Sequence, residues 1–328
     1  MIITKTPFRV SFCGGGSDMP DFYREHEGCV VSTSINRYMY ISIHPYFDNK
    51  STVLKYSQTE IVDNIKDIKH KIFRQVLNDM DISGVEITST ADVPSGTGLG
   101  SSSSFTVGLL HSLYCYKGKY VAKDKIAAEA CDVEINRLGN PIGKQDQYAA
   151  ACGGLNLITF HQDDTVSVEP VIMRSETLKA LQENLVIYYT GITHDANKIL
   201  AEQKKNITSQ KDKTDNLIRM CELAREMKKS LENDELSDFG EILNEGWQKK
   251  KELASGVADS RIDEMYETAM KNGATGGKLL GAGGGGFLLF YCEKYKQKRM
   301  EEALGLARFP VQFEHDGTSV VYIGDKYW

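Results

Sequence analysis

No stretch of this 328-residue sequence stays apolar for long. The longest run, Phe287 to Cys292, falls far short of the ~20 residues that span a bilayer, and the polar start MIITKTPFRV lacks the apolar centre of a signal peptide. The expectation is a cytoplasmic protein with no membrane partner. Cysteine is sparse and scattered: seven residues, an odd number, with no CxxC pair, so neither a disulfide framework nor a zinc ribbon is supported, and buried free thiols are expected. The seven histidines form no HExxH or HxxxH pair, which leaves a His-based metal site without support. A basic excess is also missing. Thirty-nine basic against 45 acidic residues give a net charge of −6, which argues against nucleic acid as the main partner.

What is present is an ordinary soluble composition, 41% hydrophobic and 26% charged, which excludes disordered, collagen-like and coiled-coil chains. At roughly 150 residues per domain the length suggests two domains. The unusual residue is glycine, 29 against seven prolines, and much of it falls in three tight clusters: Gly14 to Gly16, Gly96 to Gly100 and Gly281 to Gly286. Glycine costs conformational entropy on folding, so its concentration points to positive φ angles or to close approach of backbone to a ligand.

The first half reads mainly as strands, at Ile2 to Thr6, Phe8 to Cys13, Tyr38 to Tyr46, Thr52 to Tyr56 and Val85 to Ala91. Ile61, Ile65, Ile68, Ile72, Val76 and Met80 recur at helical spacing, and Ser102 to Tyr116 and Ala122 to Leu138 also suit helices. A hairpin is expected at Asn156 to His161 and Val166 to Val171. Beyond Pro170 the texture changes to long charged helices, with an apolar stripe at Leu217, Met220, Ala224, Met227 and Leu231 and a second helix from Leu236 to Leu253. Strands return at Phe287 to Cys292, Val311 to Glu314 and Val320 to Ile323, with a helix at Tyr295 to Ala307. The fold class is therefore α+β, with domains at 1–170 and 171–328, and no internal repeat.

The segment Asp92 to Ser104 (DVPSGTGLGSSSS) follows a strand and opens a helix, where free backbone N–H groups and the positive helix end converge. Three glycines let that backbone wrap a phosphate, and the serines add hydroxyls for phosphate oxygens or a magnesium ion. Other phosphate motifs fit poorly. The loop is GxGxG rather than GxGxxG, and a Walker A reading at Gly277-Lys278 meets Asn272 where glycine is required and Leu279 where Ser or Thr is required. Asp238-Phe239-Gly240 lies in an amphipathic helix with no accompanying kinase segments and is a chance match.

The three clusters together resemble the motifs of the GHMP kinase family, over nearly the whole chain. They are Pro7 to Asp18 (PFRVSFCGGGSD), Pro94 to Ser102 (PSGTGLGSS, within loop 94–104) and Lys278 to Phe287 (KLLGAGGGGF, the motif at 278–287). The resemblance implies an N-terminal domain like ribosomal protein S5 domain 2, a ferredoxin-like C-terminal domain, and an ATP site in the cleft between them. It implies that Pro94, Gly96, Gly98, Leu99, Gly100, Ser101, Ser102 and Ser103 hold ATP, and that Ser102 and Glu134 ligate Mg2+. Asp146, in GNPIGKQDQY, matches the family's catalytic aspartate, with Arg9 as the cation that keeps it ionised.

For the acceptor, the family's sugar-binding first motif retains only Asp18 as a polar candidate, beside Gly15, Gly16 and Ser17. Losing such hydrogen-bonding side chains argues against galactose. CGGGSDMPDFY, Lys144 to Gly154 and Tyr189 to Asp195 are similar to GHMP kinases acting on heptose 7-phosphate, and the first also to fucose-salvage kinases. The resemblance thus implies a sugar phosphate and ATP as small-molecule partners, with Lys144, Thr193, Gly283 and Gly284 also on the substrate. Arg24, Arg37, Lys144 and Lys198 are candidate cations for the acceptor's own phosphate. Another sugar-1-kinase, a catalytically silent sensor on the same fold, and a homo-oligomer remain open on this reading.

Overall fold

The computed structural model describes residues 1–192 and 196–324. Its strands are β1 (Ile2–Cys13), β2 (Gly28–Pro45), β3 (Thr52–Lys55), β4 (Thr59–Val62), β5 (Val85–Ala91), β6 (Leu155–Phe160), β7 (Val166–Pro170), β8 (Leu185–Tyr189), β9 (Ala274–Leu279), β10 (Phe287–Cys292) and β11 (Ser319–Ile323). Eight of them form one sheet in the order β11-β1-β2-β5-β3-β4, with β6 and β7 branching from β2. β2 is long because it serves two partners in turn: Gly28 to Thr33 pair with β6, and Met39 to Pro45 pair with β5. The expected strand at Tyr38 to Tyr46 is its second half only. Ser32, Thr33 and Ser34 break the apolar alternation of the first half, yet all three are buried. β1 runs unbroken through Pro7, which coincides with a register shift between Pro7 and Phe8.

Two expectations are corrected. The isoleucine series from Ile61 to Met80 is not one helix: Ile61 sits in β4 opposite Val53, a turn follows at Ile65–Asp67, and the helix is Lys71–Asp79. Asn64 accepts from the Lys66 N–H and His70 from the Phe73 N–H, so two polar side chains open new elements inside the apparent period. Val311 to Glu314 is not a strand either, although Phe313 makes a single bridge to Ile35.

The second sheet is antiparallel, in the order β8-β10-β9. The segment 307–309 lies along the far side of β8, where the Phe309 N–H donates to the Ile187 carbonyl at 2.7 Å and Tyr188 bridges to Arg308. This short segment stands where a ferredoxin-like sheet carries its fourth strand. The residues 171–328 do not all belong to the second unit, because β11 crosses back and pairs with β1. The two halves also share a core. Phe8, Phe12 and Val31 lie in the same buried cluster as Leu217, Met220, Phe239 and Phe287, and Phe12 meets Phe239 edge to face at 5.4 Å.

Candidate active site

β5 ends at Ala91, and the chain then turns through Gly96, Gly98 and Gly100, with φ of +76°, +84° and +78°, before helix Ser101–Tyr116 begins. The backbone therefore takes a shape that side-chain-bearing residues resist, and the first helical N–H groups face the turn without intrahelical acceptors. The third glycine cluster stacks on this loop. A Cβ on Gly98 would collide with the Leu280 carbonyl, one on Gly281 with Gly98, and one on Gly286 with the Thr97 carbonyl. Backbone packs on backbone there, which is the close approach that the clustering signalled.

Between these segments lies a cleft of about 720 Å³ that takes its walls from both halves of the chain. Arg9 rises into it from β1, and Asp146 from the start of helix Gln145–Cys152. The two form a bidentate pair, Nε to Oδ1 at 2.7 Å and the terminal nitrogen to Oδ2 at 2.8 Å, while the other guanidinium nitrogen donates to the Gly98 carbonyl at 2.6 Å. Gly100 packs on the pair, its absent Cβ only 3.3 Å from both side chains. The arginine is buried and the aspartate is partly open to the cleft.

Glu134 is fully buried at the wall, on a π-helical continuation, Asp132–Arg137, of helix Lys123–Cys131. Such widened turns often occur at functional sites. Its carboxylate accepts from the Ser102 hydroxyl at 2.8 Å and the Gln147 amide at 2.7 Å. Burial pushes its pKa up and the negative charge of Asp146 adds to that; the groups that offset the rise, Ser102, Gln147 and Ser103, are all neutral. A buried carboxylate beside a serine hydroxyl, with no cationic partner among these, is a hard-oxygen donor set that fits a divalent ion such as magnesium. No preformed cluster of three or more His, Cys, Asp or Glu side chains exists among the described residues, so such an ion would need ligands from elsewhere, such as phosphate oxygens and water.

The remaining expected residues divide. Pro94, Gly96, Ser101 and Ser103 line the cleft, whereas Leu99 is buried behind it, and its carbonyl accepts from the Arg9 N–H at 3.1 Å. Asp18 and Gly16 also line it. Asp18 Oδ1 accepts from the Gly16 N–H at 2.9 Å and Oδ2 from the Gln145 N–H at 3.1 Å, and burial pushes its pKa up. Ser17 is held away by hydrogen bonds in both directions with the Cys29 backbone. Gly283 packs on Val257, and the Gly284 N–H donates to the Val257 carbonyl at 2.9 Å; Gly281 and Ala282 face the cleft in their place. Lys144 reaches Asp164 and the Tyr23 ring instead of the cleft. Thr193, with His194 and Asp195, lies outside the described residues.

The sequence reading missed two parts of the cleft. One end is lined by Met39, Tyr56, His70, Ile72 and Phe105, with His70 between the Tyr56 and Phe105 rings at 4.8 and 5.1 Å and its pKa lowered by burial. These residues come from three elements and two loops, so no local motif marks them. The other missed residue is Lys250, which lines the cleft from helix Phe239–Lys251. Its place within Lys249-Lys250-Lys251 reads as a solvated charge run.

Two family models match this chain, the GHMP kinases N terminal domain over residues 64–154 and the GHMP kinases C terminal over residues 227–310. The chain belongs to the GHMP kinase family. D-glycero-alpha-D-manno-heptose 7-phosphate kinase of Campylobacter jejuni is 29% identical to this GHMP kinase, over 92% of this chain and 93% of its own length. The bifunctional fucokinase/GDP-fucose pyrophosphorylase of Arabidopsis thaliana is 26% identical over 90% of this chain, which spans 31% of that longer protein. A solved D-glycero-D-manno-heptose 1-phosphate kinase from Bacteroides thetaiotaomicron shares the fold, with a TM-score of 0.80 at 24% identity over 99% of this chain and 100% of that one. This GHMP kinase is an ATP-dependent phosphotransferase. No described helix is long and apolar enough to cross a membrane.

Proposed function

We propose that this protein transfers the γ-phosphate of ATP to the anomeric hydroxyl of D-glycero-D-manno-heptose 7-phosphate, giving the 1,7-bisphosphate that leads to GDP-heptose for surface glycans. The observation that carries the kinase chemistry is the Arg9–Asp146 pair held against the Gly98 and Gly100 backbone. Asp146 accepts the proton of the attacking hydroxyl as the new O–P bond forms and the bond to ADP breaks. Arg9 fixes the direction of that carboxylate through two hydrogen bonds, and the Gly98 carbonyl ties both to the loop that cradles the phosphates. Ser102 and Glu134 would hold magnesium, which supplies charge neutralisation at the phosphates. The aromatic end around Tyr56 and His70 suits the flat adenine ring.

The choice of heptose 7-phosphate rests on the likeness to the Campylobacter jejuni enzyme along almost the full length of both chains. The likeness to the fucokinase supports a second reading, an L-fucose 1-kinase with the same catalytic residues and a different pocket. The test is ADP release with ATP and magnesium on D-glycero-D-manno-heptose 7-phosphate, the dephosphorylated heptose, L-fucose, galactose and mevalonate. Turnover confined to the heptose 7-phosphate is expected. Turnover of L-fucose in its place would reassign the acceptor, and binding of ATP without turnover on any of the five would favour a sensor.

A further inference from the structure

The charged groups of the cleft described so far are all engaged. Arg9 is spent on Asp146 and the Gly98 carbonyl, Asp18 on two backbone N–H groups, and Glu134 on Ser102 and Gln147. Lys250 differs. Its ammonium is buried, and its hydrogen bonds go to two neutral oxygens at long range, the Gly15 carbonyl at 3.2 Å and Gln203 Oε1 at 3.4 Å. An ammonium carries three donors, and a buried cation whose partners are neutral is costly until a better acceptor arrives.

Its position says what that acceptor is. Among the described residues that line the cleft, Arg9 and Lys250 are the only arginine or lysine. Lys250 stands behind the first glycine turn, bonded to Gly15 and in the electrostatic reach of Asp18 and Asp146. The phosphate loop and the Ser102–Glu134 pair belong to separate elements, so this wall is left for the acceptor. The cations that the sequence offers for an acceptor phosphate are placed elsewhere: Arg24 and Lys144 pair with Asp164, and Arg37 donates to the Asn36 and Pro310 carbonyls. Lys198 is exposed and does not line the cleft.

We propose that Lys250 is an acceptor-binding residue, whose ammonium holds an electron-rich oxygen of the sugar substrate, either a phosphate oxygen or a ring hydroxyl. The inference rests on the sugar-kinase reading of the cleft. Burial lowers the Lys250 pKa to about 8, Asp18 and Asp146 holding it up and Arg9 pressing it down, and the buried Lys278 senses the same charge. The ammonium is therefore charged at neutral pH and lost in mild alkali.

Lys250→Met, with Lys250→Gln as a second variant, separates binding from structure. Loss of one charged hydrogen bond should raise the acceptor KM by roughly 10- to 100-fold while the ATP KM stays within about threefold. A loss confined to the phosphorylated heptose identifies a phosphate oxygen as the ligand; an equal loss on the dephosphorylated sugar identifies a ring hydroxyl. The wild-type acceptor KM should also climb above about pH 8, and that climb should vanish in the variants. An unchanged acceptor KM, or equal rises in both KM values, overturns the assignment. The unfolding midpoint without ligand needs no turnover, and removal of a poorly paired buried charge should leave it equal or higher. A clear fall in both variants would make Lys250 structural. If no sugar in the panel is phosphorylated, the substrate reading fails on that result, while the unfolding midpoint still judges Lys250.

Discussion

At the scale of single residues, the proposed chemistry turns on how one carboxylate is held in place. Asp146 has both oxygens on one guanidinium, which fixes the direction of the carboxylate that the proposed reaction uses as its base. Asp146→Ala should lower kcat by on the order of 100-fold or more with little change in the ATP KM, as steady-state kinetics will show. A near-normal kcat would remove the carboxylate from proton transfer. Lys278 offers a prediction about stability. Its ammonium is buried with one neutral acceptor, the Phe12 carbonyl at 3.0 Å, and burial draws its pKa down to about 7 from 10.5. The unfolded chain then binds more protons than the folded one between those values, so stability should rise with pH across that interval. Below about pH 7 the folded state must carry the charge as well, and the penalty is felt in full. Urea unfolding at several pH values should give that slope in the wild type and a shallower one in Lys278→Met. Arg9, Asp146 and Ser102 stand in motifs that mark them in the sequence, Glu134 is picked out by the family resemblance, and the structure brings all four to one cleft. Lys250 and Lys278 carry no such mark: a lysine's burial depends on what folds over it, and neither neighbour sequence shows that.

At the scale of elements, the glycine clusters carry two distinct requirements that the sequence presents as one. Gly96 and Gly98 both have positive φ, but nothing lies near a Cβ at Gly96, whereas Gly98 is pressed against Leu280. Gly96→Ala should therefore cost about 1 kcal/mol from backbone strain alone, and Gly98→Ala clearly more, since the Leu280 carbonyl must also move. Thermal unfolding of the two variants will rank them, and equal losses would mean that the two loops do not touch. A further pair of glycines in the third cluster meets another neighbour: Gly283 packs on Val257 and the Gly284 N–H donates to its carbonyl. Elements with one continuous role were read well, such as β5 and helix Ser101–Tyr116. The isoleucine series failed because three short elements happened to repeat apolar residues at helical intervals. Ile68, Ile72, Val76 and Met80 are buried, but Ile61 is exposed in β4, so the spacing records neither one element nor burial along its whole length.

At the scale of the whole molecule, the two sheets are joined by one shared core. β11 is the last strand of the chain and pairs with the first, and just before it Thr318 places its hydroxyl 2.9 Å from Thr6 and 3.0 Å from His111 in the first half. Helix Lys211–Glu232, from the second half, packs on β1 and β2, and its Leu217 and Met220 share the buried cluster of Phe8 and Phe12. A fragment of residues 1–170 would expose that apolar face and lose the strand that covers the edge of β1. Burying one large apolar side chain contributes about 1.5–3 kcal/mol, while a whole domain is stable by only about 5–15 kcal/mol, so losing several such contacts removes the margin. The fragment should accordingly lack cooperative unfolding by circular dichroism, and the full chain should melt in one calorimetric transition. Two separable transitions, with a folded fragment, would show that the shared core is only a contact surface. The shared core also bears on catalysis. Arg9 and Asp146 come from the first half and Lys250 and Gly281 from the second, so the two walls of the cleft stand on one shared core.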